Sequence, residues 1–480
     1  MIGGADGTPD PDVVPSSIGL SPSPPKRIST VRRGVVGLAL FCSAITSPFL
    51  ENGLSNHLDE AQLAAPVTSP AVTTPASALP TTTSSIAVTT TTLPTTTTTA
   101  TTVATGVDPV VTPTTTARDP QWRSKLSPEY VVADVGCASD LSAAGLAAFF
   151  AAPLGAIQGF DGPRIYPLGD GRYLWALQDT FIDYIGGIKS FAHMNYANST
   201  MLIQDGNCFT SLQRGDGTTA VSFEVGTGDI TFDHYFWPAG GTVRDGKLQM
   251  FWMEMQRDPV VGGPLDGLSL HPKATWLATY DVATMQRLDF QPAVNPGVSP
   301  VFGYAVVDDG DWSYMFGNSY QQNLALEGGY GNGPHSATKM YLARVPRGHL
   351  EASPAYWNGT GWTPDPAVAQ PISSRFWTEN SMLPIVIDGQ WVSATKVDGF
   401  LGSGITVDVA AHPWGPYTTK RLLPATPRGK PGNMVTYHAL VLPWLDPSGA
   451  LIVSLSQIPL ALGADDAPAK YRPNFFAVTL

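Results

Sequence analysis

The feature that most limits what this chain can fold into is one theme that recurs five times between Tyr130 and Leu480. A short apolar strand leads into a turn with Gly or Asp, and a second strand rich in Trp, Tyr, Phe or Met follows. The copies start at Asp161, Tyr235, Phe302, Ser381 and Tyr437. Turn signals such as Gly169-Asp170-Gly171, Asp245-Gly246 and Asp388-Gly389 join the two strands of a copy as a hairpin. A further strand closes each of the last four copies, as in Thr275–Tyr280, Lys339–Arg344, Ile405–Ala410 and Asn474–Leu480. The starts lie roughly 60 to 80 residues apart, long for a compact propeller repeat but enough for four strands with decorated loops.

A hairpin plus an outer strand, repeated at a steady interval, is what a propeller blade needs. A large sandwich or a jelly roll carries no such repeat. About 350 residues suit five blades better than six or seven. The expected fold is therefore all-β, a five-bladed β-propeller over residues 130–480. One helix is expected, at Leu141–Phe150. The counts of Gly (48), Pro (43) and Trp (12) agree with a turn-rich β protein. The net charge of −12 argues against nucleic acid or an anionic membrane surface as partner.

The first 120 residues read differently. Lys26-Arg27 and Arg32-Arg33 precede an apolar run from Gly34 to Leu50, the pattern of a secretion signal or an uncleaved anchor. Residues 1–52 are assigned to that segment. Residues 53–120 form a linker dominated by the Thr/Pro/Ala/Val tract from Val67 to Arg118, which cannot bury enough apolar surface to fold. It reads as a stalk, so the domain is expected outside the cell or on its surface, touching a membrane only through the N-terminal segment. Cys42 falls in the signal. Cys137 and Cys208 are the two cysteines of the exported part, and a disulfide between them is expected in an oxidising compartment.

The chemistry points to the first copy. Asp161 precedes an expected strand at Arg164–Leu168, and Asp179 ends a second at Tyr173–Leu177. In an antiparallel hairpin those two places are neighbours, so two carboxylates meet at one end of a β-unit. Paired carboxylates are what glycoside hydrolysis requires, one to protonate the leaving oxygen and one to activate water or attack carbon. The bland alternatives are an Asp capping the turn before Gly162-Pro163 and an Asx-type bond near Thr180. No HExxH, Cys-x-x-Cys, EF-hand, GxSxG or Walker pattern occurs. Gly328–Gly333 opens no helix and reads as a loop.

Several stretches carry a likeness to a known family: Phe160-Asp161-Gly162, Trp175–Thr180, Asn198–Leu202, Tyr235–Gly241, Trp414–Tyr417 and Tyr471–Val478. Together they resemble the five-bladed furanosidase-type glycoside hydrolases, nearest to actinobacterial propellers allied to endo-D-arabinanases. The resemblance implies a glycosidase acting on an arabinan-type polysaccharide of the cell envelope, and the chain is expected to be secreted and monomeric. It places Asp161 and Asp179 as the carboxylate pair. It also implies a third acidic position, for which Glu379 is the first candidate and Glu254 the second. Related propellers carry an axial His beside a bound cation, so His438 takes either a calcium-linked or water-mediated role, or that of a satisfied buried histidine. No other cofactor is expected. His193 and His234 are candidates for the pocket wall. Trp237 and Trp377 are the aromatic faces placed in a sugar subsite, while Trp175, Trp252, Trp312 and Trp391 are assigned mostly to the blade core. The main rival is a carbohydrate-binding or protein-binding surface propeller without chemistry.

Overall fold

The structure is a computed structural model that describes residues 120–184, 194–214, 234–257, 270–294, 300–318, 339–372, 384–397, 404–424, 434–459 and 470–480. The signal, the stalk, Glu379, Trp377 and His193 lie outside these residues, as does the Gly328–Gly333 loop. Within them are five antiparallel sheets. Blade 1 has the order β1-β5-β4-β3-β2, with β1 (Tyr130–Cys137), β2 (Ile157–Pro167), β3 (Arg172–Tyr184), β4 (Met194–Asp205) and β5 (Cys208–Arg214). Blade 2 runs β6 (His234–Arg244), β7 (Lys247–Arg257), β8 (Leu270–Asp281) and β9 (Arg287–Pro292). Blade 3 runs β10 (Val301–Asp309), β11 (Trp312–Asn318), β12 (Met340–Pro346), β13 (Ala355–Trp357) and β14 (Trp362–Thr363). Blade 4 contains β15 (Ile385–Ile387), β16 (Gln390–Val397), β17 (Gly404–Ala410) and β18 (Thr418–Pro424). Blade 5 contains β19 (Met434–Leu445), β20 (Leu451–Pro459) and β21 (Asn474–Val478).

The innermost strands touch in the cycle β2, β6, β10, β15, β19 and back to β2, so the five sheets close into a ring. The ring is a five-bladed β-propeller. Its core lies between blades. Phe236, Met250 and Trp252 of blade 2 pack with Leu174, Met201 and Ile203 of blade 1. Trp391 of blade 4 packs on Tyr314 and Phe316 of blade 3. Trp175, Trp252 and Trp391 are fully buried and Trp312 is half-buried beneath Arg344, in keeping with core roles.

Blades 1 and 5 are joined mainly by side chains. Among the described residues no strand is shared between their sheets; β1 instead pairs with β5 on the outside of blade 1. The seal is the helix α1 (Ala143–Phe150), whose Ser142 side chain accepts from the Gly145 amide as an N-cap. Phe150 enters a cluster with Phe160, Trp175, Phe209 and Phe475, and Trp444 of blade 5 meets Trp175 and Tyr173. Cys137 and Cys208 face each other in the β1–β5 ladder and are joined by a disulfide.

The two ends of the ring differ. At one end the hairpins close with turns of a few residues: Leu168–Gly171, Asp245-Gly246, Gly310-Asp311 and Asp388-Gly389. In Asp245-Gly246 and Asp388-Gly389 both residues have positive φ, the geometry of a two-residue turn matched to strand twist. The other end carries Asp161, and there the strands finish at Tyr184, Arg214, Arg257, Asn318, Val397 and Pro459, each followed by a longer connection.

The expected strand limits need correction around the carboxylates. Asp161 lies inside β2 rather than before it, and β3 continues past Asp179 to Tyr184. The cause is a bulge: Asp161 pairs with Gln178, but Arg164 pairs with Ala176, so three steps face two. Similar shifts fall at Pro238/Gly241, Phe302/Ala305 and Tyr437/Leu440 in the innermost strands of blades 2, 3 and 5. Gly162, at φ +49°, has no room for a side chain, since a Cβ would sit 2.3 Å from Gln178 Oε1.

Candidate functional site

The bulge in β2 turns Asp161 toward the axis, where it is 5% exposed. Two phenols reach the same oxygen. Tyr437 of β19 donates to Asp161 Oδ2 at 2.5 Å, and Tyr471, just ahead of β21, donates to it at 2.6 Å. The backbone supports this arrangement, because the Phe160 amide donates to the Tyr471 carbonyl at 2.8 Å. Asp161 Oδ1 is buried and makes no hydrogen bond to the described residues. Burial pushes the Asp161 carboxyl up to about 8, and the nearby charge of Asp179 pushes in the same direction. The two phenols and Arg164 oppose the rise without cancelling it. Burial and then Asp161 hold Tyr437 well above its ordinary value, so its hydroxyl remains a donor.

Asp179 follows Gln178, the ladder partner of Asp161, in the middle of the paired stretch of β3. Its φ is +27°, a strained region for a residue with a side chain and one found where a fold over-determines a functional group. Trp237 Nε1 donates to Asp179 Oδ1 at 2.9 Å. Trp237 thus lies within β6, not in a lead-in loop, and it carries a polar contact in addition to its aromatic face.

Two carboxylates whose charges interact in a shielded place cannot both ionise easily, and one retains a proton at neutral pH. Asp161 is that group. Both phenols donate to Oδ2, and Oδ1 makes no hydrogen bond to the described residues. Asp179, fixed by an indole N–H, is the complementary acceptor.

The remaining sequence candidates separate from this pair. Glu254 of β7 is buried against its own blade, with Lys273 Nζ at 3.1 Å and Trp276 Nε1 at 2.7 Å. His234 begins β6, at the same end of the ring as the carboxylates. His438 follows Tyr437 at the axis with φ +48°. Burial and the guanidinium of Arg164 push its imidazole down to about 3, so it is neutral. A calcium ion asks for six to eight oxygen ligands. Beside His438 it would meet Arg164, and no cluster of three His, Cys, Asp or Glu suited to a metal occurs among the described residues. The described residues do not fit a calcium there.

Sequence reasoning missed Tyr437, Tyr471 and Arg164. Tyr437 stands beside the chosen His438, and Tyr471 opens one of the stretches that carried the family likeness. Neither is acidic, which is why a search for carboxylates passed over them.

Fold and site together define a five-bladed propeller with a buried aspartate, Asp161, beside a half-buried one, Asp179, at the end of the ring where the long connections gather. The chain belongs to the family described as Domain of unknown function (DUF5005), whose model matches residues 147–479. No curated protein matches it. Among solved structures it is similar to a candidate hydrolase from Bacteroides ovatus ATCC 8483, at 18% identity and a TM-score of 0.52, covering 75% of this chain and 95% of that one. At that identity the likeness is one of fold. The structural neighbours also include GH43 glycosidases. One is the xylan beta-1,4-xylosidase from Bacillus halodurans C-125, at 13% identity and a TM-score of 0.39 over 63% of this chain and 50% of that one. Another is a GH43_1 enzyme from Xanthomonas citri complexed with xylotriose, at 14% identity and a TM-score of 0.36 over 66% and 86%.

Proposed function

We propose that this protein is an exported glycoside hydrolase that cleaves a furanoside, arabinan-type polysaccharide of the cell envelope. The observation that carries the reading is the Asp161–Asp179 pair, with the Asp161 carboxyl pushed toward its protonated form by burial and Asp179 oriented by Trp237 Nε1. Asp161 acts as general acid on the leaving oxygen, and Asp179 as the base or nucleophile. The Thr/Pro-rich stalk and the basic-then-apolar N-terminal segment support action at the cell surface. Glu379 is the proposed third carboxylate, and Trp377, His193 and His234 the proposed sugar contacts.

The test is incubation of the protein with arabinan, arabinogalactan and lipoarabinomannan, followed by analysis of released oligosaccharides. Product from wild type that is lost in Asp161→Asn and in Asp179→Asn, with both variants folded, supports hydrolysis. A second reading, a glycan-binding propeller without chemistry, is favoured by the burial of Asp161 Oδ1. It predicts no product from any form, with binding to the same glycans retained in Asp161→Asn.

A further inference from the structure

The bulge that turns Asp161 inward leaves two residues of β2, Gly162 and Pro163, between the paired positions of the ladder. A strand can omit such pairs inside a fold only if something else satisfies the buried backbone groups. Pro163 carries no N–H, so Gly162 supplies the one amide of the bulge. That amide donates to Ser456 Oγ of β20 at 3.0 Å, across 294 residues of chain. The carbonyls of Gly162 and Pro163 accept from Arg164 Nη1, each at 3.4 Å. Ser456 itself is fully buried.

Ser456 does not stand alone. It is the ladder partner of Tyr437, so both side chains leave blade 5 on the same face. Tyr437 donates to the Asp161 carboxyl at 2.5 Å, while Ser456 accepts from the amide of the next residue. Blade 5 thus grips the bulge at two points, one on the side chain and one on the main chain. The main-chain point holds the register. If the bulge were absorbed, β2 would slip one residue against β3 and Asp161 would turn to the opposite face. Gly162 resists that slip while its φ of +49° is kept and its buried amide is bonded. Ser454, two residues earlier on the same face, is equally buried, but its Oγ has no hydrogen-bond partner among the described residues. The bond to Gly162 therefore belongs to one position and not to a serine-bearing strand in general.

We infer that Ser456 is a positioning residue for Asp161: its hydroxyl holds the Gly162 amide and so keeps the bulge that aims the carboxyl at the axis. For catalysis, this role rests on the reading of Asp161 as the general acid; the aim of the side chain does not. Asp161 is faced by Asp179 of β3, Tyr437 of β19, Tyr471 ahead of β21 and Arg164 of β2, with His438 beside Arg164. A change at Ser456 leaves all five in place.

The experiment uses the full chain as wild type, Ser456→Ala, Ser456→Cys and Ser454→Ala. Asp161 is titrated by carbon-detected NMR of labelled aspartate, its signal assigned from Asp161→Asn, and thermal unfolding shows which variants are folded. Ser456→Ala frees the Gly162 amide, lets the carboxyl reach water and lowers its titration by about one pH unit or more from the wild-type value. Exchange of the Gly162 amide hydrogen speeds up by roughly tenfold or more in the same variant. Ser456→Cys fills the space with a weaker acceptor and gives a smaller fall in the same direction. Ser454→Ala deletes a hydroxyl of the same size and titrates as wild type. On the polysaccharide substrates Ser456→Ala lowers kcat by roughly tenfold with KM little changed, and the acid limb of the pH–rate profile moves down with the titration. A wild type that releases no sugar ends the hydrolysis reading, and the titration then decides the role of Ser456 without it. Should Ser456→Ala fail to fold, Ser456→Cys against Ser454→Ala decides the matter. The inference is overturned if Asp161 in the folded Ser456 variants titrates at or above the wild-type value, or if Ser454→Ala shifts it as far.

Discussion

Tyr471 donates its phenolic hydrogen to Asp161 across the closing seam of the ring, at 2.6 Å and over a separation of 310 residues. The contact ties the chemistry of blade 1 to the last stretch of the chain. The carboxyl group is set by the ring as a whole and not by its own hairpin.

Tyr471→Phe removes a donor to the charged form of Asp161, so the carboxyl should titrate still higher than about 8. Tyr437→Phe should act in the same direction, and the double variant should exceed either. Carbon-detected NMR of labelled aspartate reads the shift directly. If the reaction proceeds as proposed, the limb of the pH–rate profile that reports the acid moves upward by the same amount. An unchanged titration in both single variants would show that the phenols do not govern Asp161.

Asp161 and His438 oppose each other in the dependence of stability on pH. Asp161 rises from 3.8 to about 8 on folding, so the native state holds the extra proton and stability falls as pH climbs through that window. His438 falls from 6.5 to about 3, so stability drops as pH falls between those values. Between about 4 and 6.5 the two slopes offset, each unit of pH being worth about 1.4 kcal/mol per proton. Their joint contribution is level there, declines from 6.5 toward 8, and declines again below 4. Urea midpoints across pH, taken as differences from variants, separate them. Asp161→Asn loses the decline above 6.5 and uncovers the histidine slope below it.

Trp237→Phe keeps an aromatic ring in β6 but removes the N–H bonded to Asp179. A hydrogen bond to a charged group is worth about 1.5–3 kcal/mol. If the protein hydrolyses a polysaccharide as proposed, turnover should fall by roughly 10- to 100-fold, with KM changed little and the unfolding midpoint near that of wild type. A loss confined to KM would assign Trp237 to sugar binding alone.

Gly240→Ala tests the approach of blades 2 and 3. A Cβ there would lie 2.4 Å from the Val306 amide nitrogen, which is backbone and cannot swing aside. Overpacking of this kind costs about 1–3 kcal/mol. A lowered melting temperature is expected, whereas Gly246→Ala, where a Cβ meets nothing within 4 Å, should show only the smaller strain of its φ of +71°.

The inner half of every blade was legible in the sequence. Its strands alternate or run apolar, and Asp-Gly turns punctuate them, so the five copies and the meeting of Asp161 with Asp179 could be read directly. The outer strands were harder. β9 and β18 are largely exposed and carry Arg287, Asp289, Lys420 and Arg421 where a core pattern would be apolar. β1 was not anticipated as the partner of β5, and the one signal that joined them was the expected Cys137–Cys208 disulfide, since the rest of Tyr130–Cys137 does not name the strand it pairs with. The helix start came within two residues, and the N-cap at Ser142 was not read as the signal that fixes it. The bulges that aim Asp161 and Arg164 left only broken periodicity, which reads as the end of a strand. Arg164 itself was invisible as a buried cation, because its burial is created by Tyr304 and His438 from blades far away in sequence.

The seam between the first and last blades has a consequence for how the molecule behaves. A joint made of aromatic side chains and scattered hydrogen bonds, the two phenol bonds and the single Phe160–Tyr471 backbone contact among them, can loosen without breaking any ladder of backbone pairs. Whatever pries that joint open also hydrates Asp161 and lets its proton go. The acidity of one side chain thereby becomes a gauge of whether the circle is shut.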